Sequence, residues 1–297
     1  MSTSAILGRL LAAAALAGTV PLTSLPAQAE TTLQRIVRSG NVIVGYRESS
    51  IPFSYVYDGK SPAGYAIDLC RQIVGAIGKQ LGRELKIEYR PVTSANRLDR
   101  VAAGEVDLEC GSTTNNAERR TRVTFTVPHF ITSTRFMVRE DSGISSHAEL
   151  HRATIVTTRG STAEKLFRDL HMLSKLQVAP DHAAAFAMLE AGKADAFMMD
   201  DILLAGLRAG AKEPDRYRIL DQSYRIEALA IMLASDDPGF KMLVDNEMKR
   251  LINAGEVAAL YRKWFEQPIP PQGLNLRWPM GHLLRNSFRF PSDWAPD

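Results

Sequence analysis

Apolar residues along this chain fall into two rhythms. Short apolar runs at 41–46 (NVIVGY), 85–89, 106–109, 154–158, 176–178 and 194–198 read as strands. Longer stretches with helical periodicity separate them, at 67–81, 97–103, 162–170, 182–191 and 202–210. The alternation predicts α/β architecture in two blocks, each with the β-α-β-α-β order of a small, mostly parallel sheet. Extended runs at 131–138 and 228–233 read as strands crossing from one lobe to the other, and 240–254 and 256–265 as amphipathic helices. The Pro-rich tail 267–297 is expected to wrap the surface or fray. The expected organisation is a hinged clamp, with lobe 1 built from 30–132 and 231–297 and lobe 2 from 133–230. Parallel sheets bind ligands at the carboxyl ends of their strands, which sets where to look for a site.

The first 29 residues stand apart from this pattern. Arg9 precedes an Ala/Leu-rich run, and Ala27-Gln28-Ala29 is a small-x-small cleavage site, so 1–29 reads as a signal peptide cleaved after Ala29. That run is too short to span a bilayer, and the expected address is the periplasm. The remaining length suffices for two lobes with a core in each. A formal charge of +3 with scattered basic residues gives no nucleic-acid footprint. Cys70 and Cys110 are the two cysteines; their spacing suits no metal site, and whether they pair depends on a distance that sequence does not supply.

Chemistry concentrates in loops that follow the predicted strands. Residues 109–120 (ECGSTTNNAERR) join hydroxyls, helix-capping side chains and Arg119 just after a strand. A helix starting near Asn116 aims free N–H groups and a positive dipole end at the same place as Arg119, which makes a carboxylate site. Tyr46 to Ser50 carries Arg47, residues 93–97 carry Ser94 and Arg97, and 157–162 carries Thr158 and Ser161. His182 and the pair Asp200-Asp201 open later helices. Each position also has an ordinary explanation. Ser94, Ser161, His182 and both aspartates suit helix starts, and a single Arg is commonly a surface residue.

The conjunction is more specific than its parts. GYRESSIPFSY (45–55), VTSANR (92–97), ECGSTTNNAER (109–119), DHAAAF (181–186), AFMMDDILLAG (196–206) and PIPPQGLNL (268–276) resemble the periplasmic glutamate/aspartate-binding proteins of ABC transporters, within the bacterial extracellular solute-binding proteins of family 3. The likeness runs through nearly the whole chain after residue 29 in one register. It implies a type II periplasmic binding-protein fold, α/β, with two mixed-sheet lobes joined by two hinge strands. It further implies no cofactor, a monomer, L-glutamate or L-aspartate as ligand, and a membrane ABC permease as partner. By the same resemblance Arg119 and Thr114 hold the ligand's α-carboxylate with backbone amides, helped by Thr158 and Ser161. Asp200 takes the α-ammonium beside the Ser112 carbonyl, and Arg47, Ser94, Arg97 and His182 grip the side-chain carboxylate. Ser161 departs from the family's usual Thr, keeping the hydroxyl and losing a methyl; Tyr46 stands where relatives carry His.

Three arginines against one Asp would leave a positive excess suited to a net-negative ligand, and a planar guanidinium fork matches a carboxylate. A sensor that presents the same closure to a receptor kinase is an alternative on this fold. A small carboxylate lyase or dehydratase is another, with Glu48, Glu109 and His182 as its acid–base candidates. No zinc spacing, nucleotide-binding glycine loop or nucleophile elbow accompanies them.

Overall fold

A computed structural model describes residues 30–59, 61–271 and 273–293. The expected signal peptide and its cleavage point lie outside the described residues. Helix α1 (Thr32–Ser39), closed at its start by a Thr31–Gln34 capping box, leads into β1 (Asn41–Tyr46). A small hairpin, β2 (Ser49–Ser50) and β3 (Ser54–Tyr55), precedes α2 (Tyr65–Gln80), whose Cys70, Ile73, Val74 and Ile77 form one buried stripe. Then come β4 (Lys86–Pro91), α3 (Arg97–Ala102), β5 (Leu108–Glu109), α4 (Ala117–Arg120) and β6 (Val123–Phe125).

The second layer starts with the long strand β7 (Phe130–Arg139). It continues through β8 (Thr154–Thr158), α5 (Thr162–Asp169), β9 (Lys175–Ala179) and α6 (His182–Glu190). After these follow β10 (Ala196–Asp200), α7 (Asp201–Gly210), β11 (Tyr217–Ile219) and β12 (Arg225–Leu229). The chain then returns with β13 (Met232–Ala234), α8 (Pro238–Asn253), α9 (Glu256–Tyr261), a π turn (Arg262–Glu266) and α10 (His282–Arg289).

Two mixed sheets result. The first has the order β4-β1-β5-β13-β6, with β1 parallel to β4 and β5, and β13 antiparallel to its neighbours. The second has the order β11-β7-β10-β8-β9, with β12 also paired to β7. There β8 runs parallel to β9 and β10, whereas β7 runs antiparallel to β10, β11 and β12. The run expected as a crossing strand at 131–138 is thus a full member of the second sheet. The crossings themselves fall between β6 and β7 and between β12 and β13, and they are tied to each other. Thr126 N–H donates to the Ile231 carbonyl at 3.0 Å and His129 N–H to the Leu229 carbonyl at 2.9 Å.

The tail does more than wrap or fray. Ile269, Leu274 and Leu284 are buried, and 282–289 is helical, because these apolar side chains find core to cover. Phe265, just before the tail, stacks on Phe130 (4.9 Å) and Tyr261 (4.4 Å) and meets Tyr65 edge-on (5.1 Å). Cys70 and Cys110 are bonded, with their Cα atoms 6.4 Å apart, fastening α2 to the loop that follows β5.

His129 lies beside Phe53 and Tyr65, fully buried, with no hydrogen-bond partner for either ring nitrogen among the described residues. Burial pulls its imidazole down to about 3. The unfolded chain therefore binds a proton there below about pH 6.5 that the folded protein refuses, so stability falls as pH drops from 6.5 toward 3. At pH 5 the loss from this one group is about 2 kcal/mol. His129→Leu should lose that much less stability than wild type between pH 7.5 and 5 in urea unfolding. Parallel losses in the two proteins would show that the imidazole is not the cause.

Candidate functional site

The carboxyl ends of the parallel strands converge on one cleft. Arg47 follows β1, Ser94 lies between β4 and α3, and Arg97 opens α3; all three are buried. The loop after β5 supplies Ser112, Thr113 and Thr114 before α4 brings Arg119. From the second sheet, Thr158 ends β8, Ser161 caps α5, His182 opens α6 and Asp200 ends β10. Ser94, Arg97, Ser112, Thr114, Ser161, Thr162, His182, Met199, Asp200 and Leu203 line a tightly closed cavity with only about 10 Å³ of free space. Arg47 reaches it through Ser94, to which its Nη2 donates at 2.6 Å, and Arg119 stands at the cleft mouth with Gly160 and Ser161.

Two glycines let the walls come this close. A Cβ on Gly111 would stand 2.8 Å from Arg47 Cγ and 2.4 Å from Glu109 Oε1, so glycine clears the path of the arginine. Gly160, at φ +71°, would drive a Cβ to 2.7 Å from the Ser94 carbonyl oxygen. That is where the turn after β8 rests on the loop before α3, and Arg119 Nη2 reaches the Gly160 carbonyl at 3.5 Å.

Polar atoms without partners mark the interior. Arg47 Nη1, Arg97 Nε, Ser112 Oγ, His182 Nε2 and Asp200 Oδ1 are buried and find no hydrogen-bond partner among the described residues. Such atoms are costly unless something completes them. The two adjacent aspartates differ sharply. Asp201 accepts from the Thr132 hydroxyl, the Ser133 hydroxyl and the Ile202 N–H, each at 2.7 Å, with Arg135 3.6 Å away. Asp200 occupies the N-cap position of α7 without making a side-chain capping bond. Asp201 is therefore occupied by structure, and Asp200 faces the cavity.

Burial and the neighbouring Arg97 lower the Arg47 guanidinium to about 9, and the same two causes bring Arg119 to about 9; both stay charged at neutral pH. Arg97 is lowered by its own burial, against the opposing pull of Glu109, Asp200 and Glu227. Burial, then Arg47 and Arg97, push His182 well below the usual imidazole range, so it is neutral at physiological pH. Its Nδ1 lies 2.8 Å from the Thr158 hydroxyl. If that hydroxyl donates, Nε2 carries the proton and points a donor inward. Asp200 is raised well above the usual carboxyl range, first by burial and then by Glu227 and Asp201.

The charge balance differs from the one expected from sequence. Glu109 and Glu227 are also buried here, so three guanidiniums face three carboxyl groups rather than one. Glu109 accepts from the Thr113 hydroxyl at 2.6 Å, and Glu227 from Thr114 at 2.5 Å and Thr162 at 2.7 Å. Both belong to the walls. Selectivity must then come from where each charge stands, not from a net excess. Glu227 and Thr162 were not among the expected site residues. The run RIEAL does alternate, but Ile226 is 63% exposed and Glu227 2% exposed, the reverse of what the apolar signal predicts. Among the described residues no cluster of metal-ligating side chains occurs, and no helix is long and apolar enough to cross a membrane.

Comparison with known proteins agrees with this geometry. Two solved structures superpose with a TM-score of 0.70 at 25% identity. One is an ancestral amino-acid-binding protein, a precursor of cyclohexadienyl dehydratase, with 80% of this chain and 100% of that one covered. The other is the solute receptor for L-cysteine of Neisseria gonorrhoeae, with 79% and 93% covered. Two mixed α/β sheets joined by two crossings, with a cleft between them, make this a type II periplasmic binding-protein fold. Residues 42–267 match the bacterial extracellular solute-binding proteins, family 3, and the chain belongs to that family. It is 38% identical over 291 residues to the glutamate/aspartate import solute-binding protein of Escherichia coli K12, with 96% of each chain covered. It is also 41% identical over 272 residues to the L-glutamate/L-aspartate-binding protein of Pseudomonas aeruginosa, with 90% of each covered.

Proposed function

We propose that this chain is an extracytoplasmic solute-binding protein that captures L-glutamate or L-aspartate in the cleft and delivers it to an ABC permease. The observation that carries the reading is the polarity of the cavity. Asp200 Oδ1 stands without a partner in a pocket that also contains Arg97, Ser94 and the His182 ring. An amino acid with a second carboxylate completes both sets of groups at once. Arg119 and the free N–H groups of the 111–114 loop take the α-carboxylate, and Ser161 at the start of α5 adds the helix end. Asp200 and the Ser112 carbonyl take the ammonium. Arg47, Arg97, Ser94 and His182 take the side-chain carboxylate, with Thr158 acting through His182 by holding its tautomer.

Residues 30–132 with 231–297, and 133–230, act in this reading as two lobes that close on the ligand. Only contacts made to both lobes favour the closed form, and the site residues are divided between them. The names of the E. coli and P. aeruginosa relatives support the ligand class and import by a transporter. One structural neighbour is an amino-acid-binding precursor of a dehydratase, which keeps catalysis in view. Of the acid–base candidates, Glu48 is exposed, while Glu109 and His182 are each held at one atom, by Thr113 and Thr158, and keep one buried atom without a partner among the described residues. We read the chain as a binder that leaves its ligand unchanged, working as a monomer. Calorimetric titration with the common amino acids should give one site per chain for glutamate or aspartate, with the amino acid recovered intact. No heat with either acid, or a new product in the recovered ligand, would overturn the reading.

A further inference from the structure

Glu227 lies on β12, paired through the sheet with Thr132 on β7, and is 2% exposed. Its Oε2 accepts two hydroxyls from opposite sides of the cleft. Thr114 comes from the loop after β5, in the first-sheet layer, and donates at 2.5 Å. Thr162 is the first residue of α5, in the second-sheet layer, and donates at 2.7 Å. The Thr134 hydroxyl lies 3.5 Å from the other carboxylate oxygen. Thr114 and Thr162 line both the ligand cavity and a separate recess on the β12 side, whereas Glu227 lines only that recess. The three side chains are the partition between the two spaces.

We propose that Glu227 is a latch that holds the cleft closed over its ligand, by anchoring Thr114 and Thr162 on one buried carboxylate. The proposal rests on the acidic-amino-acid reading of the cleft. Backbone bonds from Asn115 N–H to the Ala228 carbonyl and from Ala230 N–H to the Thr113 carbonyl already seat Thr114 beside β12. The shared carboxylate adds Thr162 to that junction, a three-way contact that favours the closed form if opening separates any of its members. It also fixes what Thr114 offers the ligand. With its hydroxyl proton committed to Glu227, Thr114 presents its N–H, which no backbone carbonyl among the described residues takes. Glu227 thus acts through Thr114 and Thr162 as a positioning residue. Its carboxylate close to Arg97 and Arg119 offsets part of the cost of burying those guanidiniums.

The test is kinetic, because a latch on the closed form governs escape more than encounter. Stopped-flow measurement with glutamate should show Glu227→Gln and Thr162→Val each raising the dissociation rate about tenfold, with association within about threefold of wild type. The double variant should be no worse than the worse single one, since both remove one shared bond. The melting temperature without ligand should hold in the variants while the rise produced by glutamate shrinks. Unchanged dissociation, independent multiplying effects, or equal melting losses with and without ligand would each overturn the latch. Should wild type take up no acidic amino acid, the function reading fails, and a second measurement still decides the latch. Spin labels at the exposed Lys86 and Lys193, one on each layer, report the cross-cleft distance in unliganded protein. Glu227→Gln should shift that distribution to longer distances, and an identical distribution would overturn the proposal.

Discussion

Asp200→Ala is expected to weaken glutamate binding by about 2–5 kcal/mol, the usual cost of stripping one partner from a buried charge pair. Free protein should be as stable as wild type or more so, because Asp200 has an unpartnered carboxylate oxygen and its ionised form is disfavoured by burial and by Glu227. Asp201→Ala should do the opposite. It leaves the Ile202 N–H and the Thr132 and Ser133 hydroxyls without their acceptor, so it should lower the melting temperature and leave affinity nearly untouched. Calorimetric titration together with thermal unfolding of the two variants separates these outcomes. Normal binding by Asp200→Ala alongside lost binding by Asp201→Ala would show the ammonium partner to be misassigned by one residue.

Those two neighbours illustrate how much of the site was legible beforehand. Both suit a helix start after an apolar strand, and sequence alone favoured neither; the family register pointed to Asp200. The side-chain bonds now give an independent physical reason, since one carboxylate is used by the fold and the other is not. Strands were read well where apolar or β-branched residues ran together, as in β1 and β8, because burial on both faces leaves little else that such a run can be. Most element ends shifted by a residue or two, and β5 kept only Leu108–Glu109 because pairing partners rather than composition set its length. The single strand expected at 228–233 is divided between β12 and β13, which pair in different sheets.

Glu227 escaped notice for a definite reason. Period-2 reading sends the apolar side chain inward, and here the threonines across the cleft rewarded the opposite face. The disulfide likewise needed a distance, which folding α2 against the 110–114 loop supplied. In the tail, prolines concealed three apolar residues that are buried against the rest of the chain.

Arg97 carries the second large expectation, and it concerns the choice of acidic side chains. Its charge reaches every other ionisable member of the site. It lowers Arg47, Arg119 and His182 and opposes the upward shift of Asp200. Its Nε has no partner among the described residues, and its Nη1 is only a long 3.4 Å from the Ser94 hydroxyl. A carboxylate placed there gains a charge-assisted fork, while the amide of glutamine leaves one guanidinium edge facing an NH₂ donor. Arg97→Met should therefore cost glutamate about 3 kcal/mol, roughly a hundredfold in Kd, and cost glutamine much less. Because Asp200, Glu109 and Glu227 together balance the three guanidiniums when ionised, the variant cavity then carries a net negative charge, which works further against an acidic ligand. Removing Arg97 also lifts one of the causes that keep His182 neutral, so the imidazole becomes easier to protonate and recovers part of the loss at lower pH. Competition titrations of glutamate, aspartate and glutamine at pH 6 and pH 8 read both effects. The glutamate-to-glutamine preference should narrow sharply in Arg97→Met and narrow less at pH 6 than at pH 8. A preference equal to that of wild type at both pH values would take Arg97 out of the side-chain subsite and leave Arg47 to account for acid selection alone.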